Sequence, residues 1–432
     1  MIFGLLPKPV TITVNPLAMN KIFLPTCASV LATLSVVLFS CNKNETESLP
    51  GDPVPITLTS NQVSLIESEN SFAFDIFRST VDNSKATENL IISPLSISTA
   101  LSMALNGANG PTRDSMLKAL RINNIIPSEI NQSFKDLSEA LLSVDKRVLI
   151  SIANSVWAEN NFVVKKPFTD ILTGYYNAEA KSFDVKDPLA PKQMNSWIEA
   201  NTNGLIKNMI SQLDDNTVML LINAIYFKGK WKSQFDASKT VNQTFYKSNG
   251  TTIQVPMMKQ TSDFKIYKGG SFTLAEFPYG QGNFVMDVLV PDSRNGIDGL
   301  LSQLNNVSFH SWIGLMSERE TVLSLPRFKY GYKKELNEIL SGMGMRIAFT
   351  DAADFSNISD LDLLMNLILH QAFIETNEEG TEAAAVTIIG IGTTSMPIRF
   401  ELNLDNPFVY IIRETSSNSI LFMGKVEDPI AE

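Results

Sequence analysis

Histidine is scarce in this sequence, with only His310 and His370 present. A Ser/His/Asp hydrolase needs a histidine placed beside its nucleophile. No G-x-S-x-G turn presents a serine for either ring to serve, and no H-E-x-x-H pair is present. The absence of C-x-x-C spacing removes a thiolate zinc site. Gly390-Ile391-Gly392 lacks the third glycine and the acidic partner of a dinucleotide-binding turn. Catalytic residues, a metal and a cofactor are therefore not expected, and the chain does not read as an enzyme.

The two cysteines suggest chemistry of another kind. Residues 22–40 are apolar, with Lys21 before them and Cys41 after, the arrangement of a secretory signal. Leu38-Phe39-Ser40-Cys41 resembles a bacterial lipobox, in which the cysteine becomes the lipidated first residue. Cys27 would leave with the signal, and acylation would remove the exposed thiol of Cys41. An uncleaved membrane anchor and an incidental cysteine are the alternatives. Residues 1–18, with Pro7, Pro9 and Pro16, precede a better start at Met19 and read as a misassigned beginning. The expected organisation is a lipoprotein signal peptide at 19–40, a flexible tether at 41–60 and one large domain at 61–432.

Composition narrows the partners. The chain has 432 residues, 44% hydrophobic and 19% charged, as in ordinary globular proteins. Its net charge of −10 repels nucleic acid and anionic membranes. Lys118, Arg121, Lys135, Lys146 and Arg147 are spread among acids and read as a solvated face. No nucleic-acid partner is expected, and the membrane is met only through the lipid. The protein is expected to be exported: an outer-membrane lipoprotein facing the surface or periplasm, or an extracellular protein.

The elements follow from periodicity. Ser93-Pro94 predicts a helix start, and Ile97, Leu101, Ala104 and Ala108 continue its apolar stripe. Leu336, Ile339, Leu340 and Met343 predict another helix. Val218–Phe227 is a near-continuous apolar run, predicted as a strand buried on both faces. Asn223 interrupts it, and a buried amide without partners costs roughly 1–3 kcal/mol. Strands are also predicted over 150–157, 284–291 and 321–330, and a hairpin joins Phe408–Arg413 to Ile420–Val426. The predicted class is α+β, helices packed on large, mainly antiparallel sheets.

The segment Asn377-Glu378-Glu379-Gly380-Thr381-Glu382-Ala383-Ala384-Ala385-Val386 carries conflicting preferences. Its acidic start and alanine run favour a helix, Val386-Thr387-Ile388-Ile389 favours a strand, and 390–395 favours a loop. An exposed helix followed by an edge strand is one reading. As a strand, however, Thr381, Ala383, Ala385, Thr387 and Ile389 would share one small-residue face and could slide beneath existing helices. A segment able to be loop or buried strand is a plausible bistable element.

This segment closely resembles the hinge of inhibitory serpins, and other motifs follow in the family's order. Asn89–Ile97 is similar to the opening of the family's second helix, and Asn223–Trp231 to its central sheet segment. Val255–Met258, Ala353–Ser356, Asn406–Phe408 and Leu421–Val426 also match, so the resemblance spans roughly residues 61–430. It implies a serpin fold with an exposed reactive-centre loop, monomeric, with a target protease as covalent partner. It implies a suicide mechanism: the protease acylates itself on the loop, and the cut loop inserts into the main sheet. Gly380, Thr381, Glu382, Ala383, Ala384 and Ala385 would be the hinge. The family's spacing from Glu378 puts the scissile bond at Thr394–Ser395, within a window from Thr393 to Met396. No lysine or arginine lies there, which favours elastase-like or subtilisin-like serine proteases over trypsin-like ones. Papain-like cysteine proteases are a second target class, and a non-inhibitory binding module is the alternative function. Ser93, Asn223 and His370 resemble the family's shutter, a hydrogen-bonded cluster where the central strands part. Trp231, Arg327 and Glu378 resemble its breach, the top of the sheet where insertion begins.

Overall fold

The computed structural model describes residues 53–122, 125–381 and 399–431. The chain opens with α1 (Ser60–Asp82), β1 (Leu90–Ile92), α2 (Pro94–Leu105), α3 (Gly110–Ala119) and α4 (Pro127–Ser143). Then come β2 (Val148–Glu159), α5 (Lys166–Tyr175), β3 (Glu179–Phe183), α6 (Ala190–Asn201) and β4 (Met219–Lys230). Strands dominate next, in β5 (Val241–Tyr246), β6 (Thr252–Lys268), β7 (Phe272–Tyr279) and β8 (Phe284–Pro291). Two short helices, α7 (Ile297–Gln303) and α8 (Asn306–Gly314), precede β9 (Ser317–Pro326) and β10 (Phe328–Glu335). A one-turn α9 (Asn337–Leu340) leads to β11 (Leu369–Thr376), β12 (Gly380–Thr381), β13 (Phe400–Asn403), β14 (Phe408–Glu414) and β15 (Ile420–Val426).

Local chemistry explains the helix starts. Thr59 and Gln62 close a reciprocal capping box on α1, with hydrogen bonds of 3.3 and 2.7 Å. Ser93 caps α2 by accepting from the Ser96 amide at 3.2 Å, and Pro94 takes the first helical position. The predicted second stripe yields only the single turn of α9, because the chain widens into a π-turn over Ser341–Met345 and Gly344 takes φ +109°. The single strand predicted over 321–330 is two strands in different sheets, parted at Arg327, whose amide donates to Pro256 O at 2.9 Å.

The largest sheet has the order β1-β15-β14-β8-β7-β6-β9-β13, with β5 also paired to β6. Among the described residues only β13 against β9 and β2 against β3 run parallel. The predicted 408–426 hairpin lies between β1 and β8, and every residue of β14 and β15 is buried. Arg413 of β14 is buried with them and is neutralised by Glu276 (2.7 Å) and Asp287 (2.6 Å). Burial pushes the Asp287 carboxyl up to about 6, with the Arg413 charge acting against that rise.

The second region is a sheet in two halves. One is β12-β4-β2-β3, the other β10-β11. β4 is covered on both faces where Ile222 and Ala224 pack beneath α6 and Ile225 and Phe227 face the main core, while Met219–Leu221 stay half-buried. Among the described residues no ladder joins β4 to β11. Each strand therefore has a satisfied edge, toward β2 and β10 respectively, and an edge along the seam between the halves.

Candidate functional site

The seam has a mouth, a middle and a cleft between. At the mouth, β11 ends and the chain reverses over Asn377–Gly380, whose terminal amides donate to each other's carbonyls at 3.0 and 3.2 Å. Gly380 and Thr381 then pair antiparallel with Lys230 and Gly229, forming β12 against the seam edge of β4. Gly380 has φ +141°, and a Cβ there would sit 2.1 Å from the Gly229 carbonyl oxygen. Both the dihedral and the space demand glycine. The Thr381 side chain is buried, its hydroxyl 3.0 Å from that of Tyr279.

Charge and ring stacking fix this turn. Arg327 Nε donates to both carboxylate oxygens of Glu378, at 2.7 and 2.8 Å, and Thr240 also donates to that carboxylate. The Glu378 side chain is 8% exposed and that of Arg327 44%, so the pair sits at the rim of the core. Burial works against ionisation of Glu378, but the hydrogen bonds from Arg327 and Thr240 and the Arg327 charge hold its carboxyl below the usual range. Trp231 donates twice, from its amide to Glu379 O at 2.8 Å and from its indole to Asn377 O at 2.9 Å. Its ring lies flat on Tyr279 with centroids 4.4 Å apart. Thus Trp231, Arg327 and Glu378 converge on the turn that begins the hinge. That turn is also incompletely satisfied, since Thr376 Oγ1 and Glu379 Oε2 are buried without partners.

Beyond Thr381 the seam narrows to a cleft lined by Ile225, Tyr226 and Phe227 of β4 and by Phe373 and Glu375 of β11. Its free volume is about 20 Å³, little more than one water.

In the middle, the Ser93 amide donates to His370 Nε2 at 3.1 Å, and the Ser93 hydroxyl donates to Leu421 O at 2.7 Å. Asn223 is half-buried and does not reach Ser93 or His370 directly. Its Oδ1 accepts from the Ser96 hydroxyl, one helical turn past the cap, and its Nδ2 donates to Asn154 Oδ1 at 2.6 Å. Asn154 faces Asn223 across the β2–β4 register and donates onward to Tyr176 O at 2.8 Å. The three predicted shutter residues thus share one polar cluster, joined through Ser96. Asn154 was legible by the logic that singled out Asn223, an amide in a β-prone run. Ser96, Thr240 and Tyr279 carried no such signal. Glu382, Ala383, Ala384, Ala385, the Thr393–Met396 window and Cys41 lie outside the described residues.

A short strand lodged at the mouth of a seam between two sheets, continuous with the strand on the far side, is the feature that defines the class of this protein. The chain belongs to the serpin family: the family described as Serpin (serine protease inhibitor) matches residues 67–429. It is 32% identical to human Serpin B11 over 85% of this chain and all of that protein. It is 33% identical to a serine protease inhibitor of Cyanea capillata over 80% of this chain and 94% of that one. Among solved structures, the native thermophilic serpin tengpin superposes with TM-score 0.78 at 29% identity, covering 88% of this chain and 97% of that one. Human thyroxine-binding globulin complexed with its hormone superposes with TM-score 0.80 at 27% identity, covering 86% and 100%. The family is one of protease inhibitors rather than catalysts, and thyroxine-binding globulin is a case in which the same scaffold binds a small molecule.

The geometry gives two measurable outcomes. Gly380→Ala must strain a positive-φ residue and collide with Gly229, at a cost of about 1–3 kcal/mol. Amide exchange at Trp231, whose hydrogen bond depends on this turn, is expected to quicken about tenfold or more. The second outcome concerns acid. Burial pushes the His370 ring from 6.5 down to about 4, so it is neutral when folded. Between these values unfolding takes up a proton: the stability from neutral His370 is full above pH 6.5 and drains away toward pH 4, on the order of 3 kcal/mol. The Glu69 carboxyl, pushed from 4.5 up to about 8 by burial, contributes the opposite slope as pH rises between those values. The His370 contribution is therefore read as the difference between wild type and His370→Gln in urea unfolding. Curves that stay parallel from pH 4 to 6.5 would contradict it.

Proposed function

We propose that this chain is a suicide-substrate inhibitor whose targets are elastase-like or subtilisin-like serine proteases. The observation that carries the reading is β12: the first hinge residues already lie as a strand beside β4, at the mouth of the seam between β4 and β11. The target's serine attacks the carbonyl carbon at the loop's scissile bond, placed at Thr394–Ser395. An ester forms, the amide bond breaks, and the serine's proton passes to the departing amine of Ser395. The severed strand then extends β12 between β4 and β11. Its gain is backbone pairing on both seam edges and burial of the face that begins with Thr381. Pulling the acyl-enzyme along the sheet distorts the protease before water can release it.

Several sequence features support this specificity and location. The small residues Ala383, Ala384 and Ala385 continue the strand without bulk, and Glu382 would project to solvent. The loop holds no basic residue before Arg399, so a protease with an acidic pocket finds no anchor. The signal-like residues 19–40 and Cys41 support export and lipid anchoring, with residues 41–60 as tether, so that the inhibitor guards a bacterial envelope or its surroundings. A carrier role is the second reading, favoured by the likeness to thyroxine-binding globulin.

The test is a denaturing gel of the chain lacking residues 1–41 after mixing with elastase, subtilisin, trypsin or a papain-like protease. The expected result is a covalent adduct with elastase or subtilisin and a released peptide starting between Thr394 and Pro397. An adduct with the papain-like enzyme alone would move the target class to cysteine proteases. Ala383→Arg, which places a charge on the face of the strand that must be buried on insertion, is expected to abolish the adduct while leaving cleavage intact. Clean loop cleavage without adduct by all four enzymes would leave the carrier reading.

A further inference from the structure

A second cavity lies well away from the seam, where the end of α2 meets α3, α4 and the start of α5. Its volume is about 340 Å³, within the range of roughly 300–1,000 Å³ typical of small-molecule sites. The walls are apolar: Leu105, Ile130 and Phe168 are buried, and Ile171 packs against the same core. No acidic residue lines it, whereas Arg113 and Lys165 both do.

The polar groups around this cavity differ in what they already hold. Lys165 Nζ is engaged by Asp360 at 2.5 Å and by Ser356 O at 2.9 Å. Asn106 and Asn131 hydrogen-bond each other reciprocally at 3.0 and 2.8 Å, and Asn357 donates to Ala108 O at 3.1 Å. Arg113 is the exception: its Nε is buried without a partner. A buried guanidinium donor left unpaired is costly, and its planar fork matches a carboxylate in two-point contact.

We infer that this cavity binds an organic anion with an apolar body, a monocarboxylate whose head pairs with Arg113 and whose tail fills the space among Ile130, Phe168 and Ile171. One unspent cation against apolar walls selects a single negative charge and disfavours cations and polyanions. The site uses no residue of the hinge, breach or shutter described above, so it stands or falls independently of the inhibitory mechanism.

Calorimetric titration of the purified protein with octanoate, octan-1-ol and octyltrimethylammonium tests this. The expected result is one-to-one binding of octanoate, about tenfold or more tighter than the alcohol, with no binding of the cation. Arg113→Met is expected to erase the preference for octanoate over octanol. Ile171→Trp, which fills the cavity, is expected to abolish both, with circular dichroism confirming that each variant is folded. Absence of octanoate binding up to about 1 mM, equal affinity for octanoate and octanol in wild type, or unchanged octanoate binding in folded Arg113→Met would each overturn the inference. If Ile171→Trp does not fold, the Arg113→Met titration decides alone.

Discussion

A seam that no ladder of described residues crosses, with the hinge at its mouth, governs this molecule. A β-strand interior to a sheet satisfies donors and acceptors on both edges, and a buried peptide group without a partner costs free energy. β4 is fully paired to β2 and β11 to β10, yet no ladder crosses between the two halves among the described residues. The hinge continues directly from β11 through a four-residue turn into β12, so the same chain carries a strand that can pair along this seam.

Polar contacts hold this seam at its two key points. At the mouth, the Arg327–Glu378 pair, the Thr240 hydroxyl and the Trp231–Tyr279 stack hold the turn and the first residues of β12. In the middle, Ser93, Ser96, Asn223, Asn154 and His370 tie α2, β4, β2 and β11 together. These are directional contacts, each worth about 1 kcal/mol net, and they must break or slide for the halves to separate. Apolar packing beneath α6 is non-directional and tolerates sliding better. Polar contacts at the seam and apolar contacts around it therefore favour a barrier to opening over a deep equilibrium preference for the closed arrangement.

Much of this architecture was legible because burial leaves a periodic trace. The hairpin of β14 and β15 and the run of β4 are continuous apolar stretches, and the Ser93-Pro94 cap is explicit. The division at Arg327 was not, because the residues on either side are equally β-prone and only Pro326 hinted at an end. The shutter was legible at Ser93, Asn223 and His370 through resemblance, but the wiring among them was not. A side chain's partner depends on which strands lie side by side, and Asn154 meets Asn223 only because the β2–β4 register places them opposite. Thr240 and Tyr279 are common residue types in ordinary strand surroundings, so their closure of the mouth appears only in three dimensions.

The hinge shows why local and global preferences disagree here by necessity. In a chain with one resting state, propensity, patterning and tertiary fit converge. The sequence from Asn377 to Ser395 does the reverse, moving from helix-favouring to strand-favouring to loop-favouring residues within one segment. Gly380 is the pivot of that disagreement, since it alone meets both the positive φ and the close approach of Gly229. A bulkier residue would keep the loop out, and a stronger strand former before it would fill the seam as the protein folds. Gly380 and Thr381 lodged in the sheet, followed in sequence by alanines with weak strand preference, is a compromise between a residue that must turn and a segment that must be free to pair.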